Sequence, residues 1–326
     1  MTFKVIEAGI SVSVQDLGRP GYYQLGIPQG GAMDRFSLSV ANLLVGNNEN
    51  AAGLEAAYIG PKLHFSSSTM ISVTGGDAPL FVDGVEHECW RPIEIKAGQV
   101  LEFGFIKNGA RLYLAFAGGI NVPEVLGSRS TYTVGILGGL EGRVLKSGDV
   151  LKTFQSESRV TIRDVSIPEA MRPQITQVTS LKVLPGLYWH RLTEAAGEKF
   201  FADEWAVGTE ADRMGYRFTG GRPMEFVERT PPFGAGADPS NIVDSAYPYG
   251  SIQVPAGQEP IVLHRDAVSA GGYFQIGTVI SADMDLIGQL QPNKKVQFIK
   301  VSMDEALKAR SVYQAKMAQV RETLNR

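Results

Sequence analysis

The chain has 326 residues, 44% hydrophobic and 20% charged, with a formal net charge of −3. That length supports two domains with a substantial core, and the slight negative charge gives no electrostatic case for nucleic acid, which would want a basic stripe. The single cysteine, Cys89, excludes an internal disulfide framework and suits a reducing compartment.

The N-terminus, Met1-Thr2-Phe3-Lys4-Val5, has no apolar core of signal-peptide length. No run approaches the roughly 18 apolar residues of a membrane span. A cytoplasmic protein without a membrane partner is expected.

The first feature along the chain is Gln15-Asp16-Leu17-Gly18-Arg19-Pro20-Gly21, followed by Gly30-Gly31-Ala32-Met33-Asp34. Glycine permits positive φ and close backbone approach. Asp16 or Asp34 can pair with Arg19, or Arg19 can grip a carboxylate or phosphate bidentately; both readings are open. Asp34 is a good N-cap, and Phe36, Val40, Leu43 and Leu44 recur at helical spacing. Gly46 is placed to end that helix, which covers residues 35–45.

Short β-branched runs then alternate with turn signals: Met70–Thr74, Leu80–Val82, Ile93–Lys96, Val100–Phe105 and Leu112–Phe116. Asp83-Gly84 and Asn108-Gly109 are strong hairpin signals. Many short strands at regular spacing read as a barrel or sandwich. Cys89, beside Trp90, reads as a small buried hydrophobe rather than a nucleophile. Residues 152–177 are polar, contain Pro168 and Pro173, and read as a linker.

Strand character restarts at Leu181–Leu184, a short helix is expected over His190–Lys199, and strands resume at Gln253–Val254, Ile261–His264, Tyr273–Ile280 and Lys295–Val301. Ser302-Met303-Asp304-Glu305 is a capping box for a terminal helix. Ala315-Lys316-Met317 lies in that helix and reads as a solvated face, so no biotin is expected on this chain.

In Asp212-Arg213-Met214-Gly215-Tyr216-Arg217, an extended backbone points Arg213 and Arg217 the same way. They then form an anion site, or one of them pairs with Glu210 or Glu225 and braces a barrel. His64, His87, His190 and His264 are scattered, so no metal site is expected. Neither a Walker loop nor a nucleophile elbow is present.

These strings, together with Asn42–Asn47, Ala117-Gly118-Gly119-Ile120, Gly138–Arg143, Ile252-Gln253-Val254-Pro255 and Gly271-Gly272-Tyr273, resemble the KipA family. This family is also known as the second subunit of allophanate hydrolase or the C subunit of 5-oxoprolinase. The resemblance runs from about residue 3 to about residue 310. It implies a mainly β chain with a few helices and two β-barrel-like domains of cyclophilin-like fold, at 1–160 and 175–326.

It also implies a subunit of an ATP-dependent 5-oxoprolinase. Such a subunit acts with a KipI-like partner and a LamB/YcsF-type partner on a small lactam or amide, with ATP and Mg shared across the complex. Asp16, Asp34 and Asp266 are then the candidates for proton handling or a metal–ATP contact. Gln15, Arg19, Arg213, Arg217, Gln253 and Tyr273 are the candidates for binding substrate or anion.

The chain departs from the family pattern at Ala211, Val268, Ser269 and Ala270, where polar groups are lost or altered, and residues 228–247 look longer than usual. These departures keep two alternatives open. One is a regulatory protein that binds and antagonises a KipI-like kinase inhibitor. The other is a carboxyltransferase-type subunit acting on urea or a related amide.

Overall fold

The computed structural model describes residues 1–155, 165–230 and 233–325. The chain forms two compact units. One holds Met1–Arg19, Gly30–Gln174 and Ala315–Arg326, and the other Pro20–Gln29 and Ile175–Gln314.

In the first unit eleven strands form two antiparallel sheets. One runs in the order Val150–Lys152, Thr2–Glu7, Lys62–Phe65, Val100–Phe103, Leu80–Val82, Val85–His87. The other runs Ser13–Gln15, Gly53–Ala57, Asn108–Phe116, Thr69–Asp77, Pro92–Ile95. Alternate residues of both sheets enter one apolar core that includes Phe3, Leu63, Leu101, Leu54, Ile71 and Leu114. Phe3 and Phe116 stack there, 4.5 Å between centroids.

The helix Arg35–Leu44 lies on the second sheet. Its carbonyls at Ser37 and Ala41 accept from the Thr74 and Ser72 hydroxyls at 2.7 and 2.6 Å. These bonds and the small residues Ala41 and Ala115 bring helix and sheet together.

The second unit is a closed seven-stranded barrel: Val178–Pro185, Gln275–Val279, Ser251–Gln253, Ile261–Leu263, Gly215–Thr219, Trp205–Ala211, Lys295–Lys300. It closes through parallel pairing of Lys295–Lys300 with Val178–Pro185. Phe298 anchors its core, stacked on Phe200 at 4.8 Å and edge-on to Phe218 at 5.3 Å. A separate strand pair joins Asn241–Ala246 to Ala270–Tyr273. The mainly β class expected from the sequence is the one found.

Several expectations need correction. The expected linker 152–177, where it is described, is mostly without helix or strand but is packed in places. Lys152 closes a strand, Ile167 is fully buried, and Arg172 sits over the Trp90 ring at 5.7 Å. Residues 156–164 of that stretch, and the expected boundary at 160, lie outside the described residues, as do Pro231 and Pro232. The expected helix over 190–199 is a 3-10 turn, Trp189–Arg191, followed by the helix Glu194–Ala202, because Thr193 caps the latter by accepting from the Ala196 N–H.

The terminal helix Met303–Asn325 starts on the expected capping box, in which Glu305 accepts from the Ser302 N–H at 2.7 Å. Its last turns belong to the first unit, where Val320 is buried and Arg321 pairs with Glu49. Lys316 is half-buried rather than solvated, its ammonium 4.7 Å from the Phe36 ring centroid. Among the described residues no helix is long and apolar enough to cross a membrane.

Cys89 packs against the first core, and burial pushes its thiol up to about 11 from an ordinary 9.0. Its contribution to stability is therefore present below pH 9 and lost as pH rises through about 11. Alkylation of the native thiol at pH 8 is expected to be at least about tenfold slower than in urea, since the thiolate is the nucleophile. Equal rates would show that the thiol is not held this way.

Candidate functional site

In the first unit the two glycine-flanked segments are built onto each other. The Ala32 N–H donates to the Asp16 carbonyl at 2.9 Å. Gly31 has φ +85°, and a Cβ there would lie 2.7 Å from the Gly18 nitrogen, so only glycine fits.

Asp16 is 2% exposed and accepts four hydrogen bonds: from the Gly18 N–H (2.8 Å), the Arg129 N–H (2.6 Å), and the Ser128 and Ser130 hydroxyls (2.6 and 2.5 Å). Arg19 is fully buried, and its guanidinium donates to the carbonyls of Ser130 and Val125. Gln15 donates to the Ser13 hydroxyl at 2.9 Å and the Thr131 carbonyl at 3.2 Å.

Asp34 accepts from the N–H and hydroxyl of Ser37 at 2.9 and 2.5 Å. It is the N-cap expected of it. Beneath it lies a buried network that gave no sequence signal. Glu55 accepts from the Met33 N–H (2.8 Å) and the Tyr113 hydroxyl (2.9 Å), with Arg111 3.7 Å away, and Tyr113 accepts from the Asp34 N–H. Burial and the neighbouring Glu55 charge hold the Tyr113 phenol well above its usual range.

Within this unit the structure thus brings Gln15, Asp16 and Arg19 together. Asp16 and Asp34, the candidates for proton handling, and Arg19, the candidate for ligand grip, each hold contacts within their own chain. All three are enclosed and already bonded to their own chain. Replacing Asp34 with Ala is expected to cost about 1 kcal/mol, read as a lower urea midpoint, with Asp34→Ser retaining most of the stability.

The second unit contains an open cleft of about 510 Å³, within the size range of small-molecule sites. Its polar lining includes Glu210, Asp212, Arg217 and Gln253, and its apolar lining Met214 and Val268. The hairpin between Trp205–Ala211 and Gly215–Thr219 shapes it. The Asp212 carboxylate accepts the Met214 and Gly215 N–H groups at 2.7 and 3.2 Å, so the chain turns at Arg213.

That turn overturns the shared anion face expected for Arg213 and Arg217. Arg213 donates both Nε and Nη2 to Asp266, at 2.8 and 2.9 Å. Arg217 stays on the strand and pairs with Glu210 at 2.7 Å and Glu259 at 3.4 Å. The bracing alternative is therefore the one observed for Arg217.

Gln253 is largely buried and lines the cleft, and the pKa of the nearby Tyr247 phenol is raised chiefly by burial. Tyr247 in turn holds both backbone groups of Tyr273, at 2.7 and 2.9 Å, and leaves the Tyr273 ring half exposed. The expected residues Arg213 and Asp266 meet as partners, and Arg217 and Gln253 share the cleft.

Sequence reasoning missed Tyr247, Glu259 and a polar cluster behind Asp266. In that cluster Arg265 stacks on Tyr249 at 4.2 Å and reaches Gln29 at 3.4 Å. His264 accepts from the Arg265 N–H through Nδ1 and faces the Met284 carbonyl through Nε2, which places its proton on Nε2.

This architecture is that of a carboxyltransferase-type domain. The portion of the Kluyveromyces lactis urea amidolyase crystal structure that aligns with it gives a TM-score of 0.91 at 35% identity, covering 99% of this chain and 20% of that one. The family model for the carboxyltransferase domain, subdomains A and B, matches residues 25–300, and the chain belongs to this family.

The chain is 37% identical to the C subunit of 5-oxoprolinase from Escherichia coli, over 94% of each. It is 35% identical to urea amidolyase of Saccharomyces cerevisiae over 91% of this chain, of whose length it spans 16%.

Proposed function

We propose that the chain is a subunit of an ATP-dependent 5-oxoprolinase, which opens the lactam of 5-oxo-L-proline to L-glutamate in the cytoplasm. The observation that carries this reading is the reciprocal coverage with the C subunit of 5-oxoprolinase, 94% of each chain, against a sixth of the urea amidolyase. The partners would be a KipI-like and a LamB/YcsF-type subunit.

In the cleft, Gln253 offers a side-chain amide, one donor and one acceptor edge, which complements a lactam. Met214 and Val268 line the cleft beside Gln253 and cover the apolar ring edge of the substrate. Asp266 acts as a positioning residue for Arg213 rather than as the expected acid, because both of its oxygens are held by that guanidinium.

A nucleotide triphosphate does not suit this cleft. Its arginine is already matched by Glu210 and Glu259, and Asp212 adds another carboxylate. We assign ATP and Mg to the rest of the complex. A carboxyltransferase-type reaction on urea or another amide is the second reading, favoured by the 0.91 TM-score to the urea amidolyase.

The test is coexpression with the two partners and assay of ATP-dependent glutamate formation from 5-oxoproline. Turnover that needs this chain and falls at least about tenfold with Gln253→Leu supports the reading. A stable complex without turnover rejects it.

A further inference from the structure

We propose that Arg191 and Arg229 of the second unit form a binding site for an oxyanion, the carboxylate or phosphate group of a small molecule. Neither arginine lines the cleft, and the proposal does not rest on the 5-oxoprolinase reading.

Arg191 ends the short turn Trp189–Arg191. The next residue, Leu192, makes an antiparallel bridge to Phe226, and the Val227 N–H donates to the Arg191 carbonyl at 2.9 Å. Arg229 is two residues beyond Val227, in a stretch without helix or strand. Its Nη2 donates to the Asn241 carbonyl at 2.7 Å and to Pro239 at 3.4 Å, which fixes the guanidinium by a single nitrogen.

The Arg191 guanidinium lies 4.7 Å from the Tyr188 ring centroid. Its Nη1 is buried with no hydrogen-bond partner among the described residues. Neither arginine has an ion-pair partner among those residues. The half-buried Arg213 and Arg143, by contrast, each hold a carboxylate.

Burial, and then the charge of Arg229, push the Arg191 pKa below its usual value, so the two cations oppose each other. A fold that keeps two half-buried guanidiniums together without an acid bears a desolvation and repulsion cost. An oxyanion offsets both. The planar fork of each guanidinium matches two oxygens of a carboxylate or phosphate, and one of them lies against the Tyr188 ring.

The experiment is thermal denaturation of the full chain with inorganic phosphate, acetate or chloride at matched ionic strength. A ligand that binds the native state raises the midpoint with concentration. A phosphate-specific rise identifies a phosphate site and an acetate-specific rise a carboxylate site; either supports the proposal. In Arg229→Gln and Arg191→Gln, half-saturation is expected to need roughly tenfold more anion, the loss of one charge-assisted contact. Arg191→Lys keeps the charge and should fold and bind with intermediate affinity, which covers the case in which Arg191→Gln does not fold. Identical midpoints in the three salts, or an undiminished anion response in Arg229→Gln, would overturn it.

Discussion

Replacing Asp16 with Ala is expected to destabilise the protein by about 3 kcal/mol or more, measured from urea unfolding. The carboxylate is enclosed, so water cannot take over its four bonds. The substitution leaves two backbone N–H groups and two hydroxyls without their acceptor at once. The serines can rotate toward each other or toward carbonyls, but the Gly18 and Arg129 amides cannot turn. Asp16→Asn keeps one acceptor oxygen and should lose roughly half as much. A loss below about 1 kcal/mol for the Ala variant would mean that the 15–19 segment holds its shape without this anchor.

The second large effect is expected at Asp266. Its carboxylate is nearly enclosed, and its partner Arg213 has a side-chain exposure of 18%. Asp266→Ala leaves a half-buried guanidinium without its bidentate acceptor, an arrangement that costs about 3 kcal/mol. Removing both partners, in Arg213→Met with Asp266→Ala, should cost no more than the worse single change, since no charge is then stranded. A double-mutant cycle reads this directly. Strictly additive losses would show that the two residues act independently. Because Arg213 sits in the turn of the hairpin that lines the cleft, the proposed 5-oxoprolinase activity should show a KM raised more than kcat is lowered in the Asp266 variant.

What could be read from the sequence is local. The helix after Asp34, the Leu80–Val82 strand before Asp83-Gly84, and the Ser302–Glu305 cap each depend on residues within a few positions of one another, so spacing reveals them. The Asp212-Arg213-Met214-Gly215 stretch shows the limit. Its alternation suggested an extended face, yet the Asp212 side chain bonds the backbone two and three residues on and folds the segment into a turn.

The partners that define the site residues lie far along the chain. Ser128 and Ser130 are more than a hundred residues from Asp16, and Asp266 is 53 from Arg213. No periodicity or short motif reports such pairings. Glu55 and Arg111 were invisible for the same reason, since a charged residue within a strand reads as solvent-facing until its neighbours are known.

The division of the chain into interleaved pieces also bears on how the protein can be made. Residues 20–29 belong to the second unit while their flanks belong to the first, and residues 315–326 return to the first. No single cut therefore yields two whole bodies, and a fragment ending at 174 lacks the helical turns that bury Val320 and pair Arg321 with Glu49. On the ribosome, the first unit must wait until the barrel has been synthesised before its last piece emerges. Although it is encoded mostly at the front, it is the later of the two to be completed.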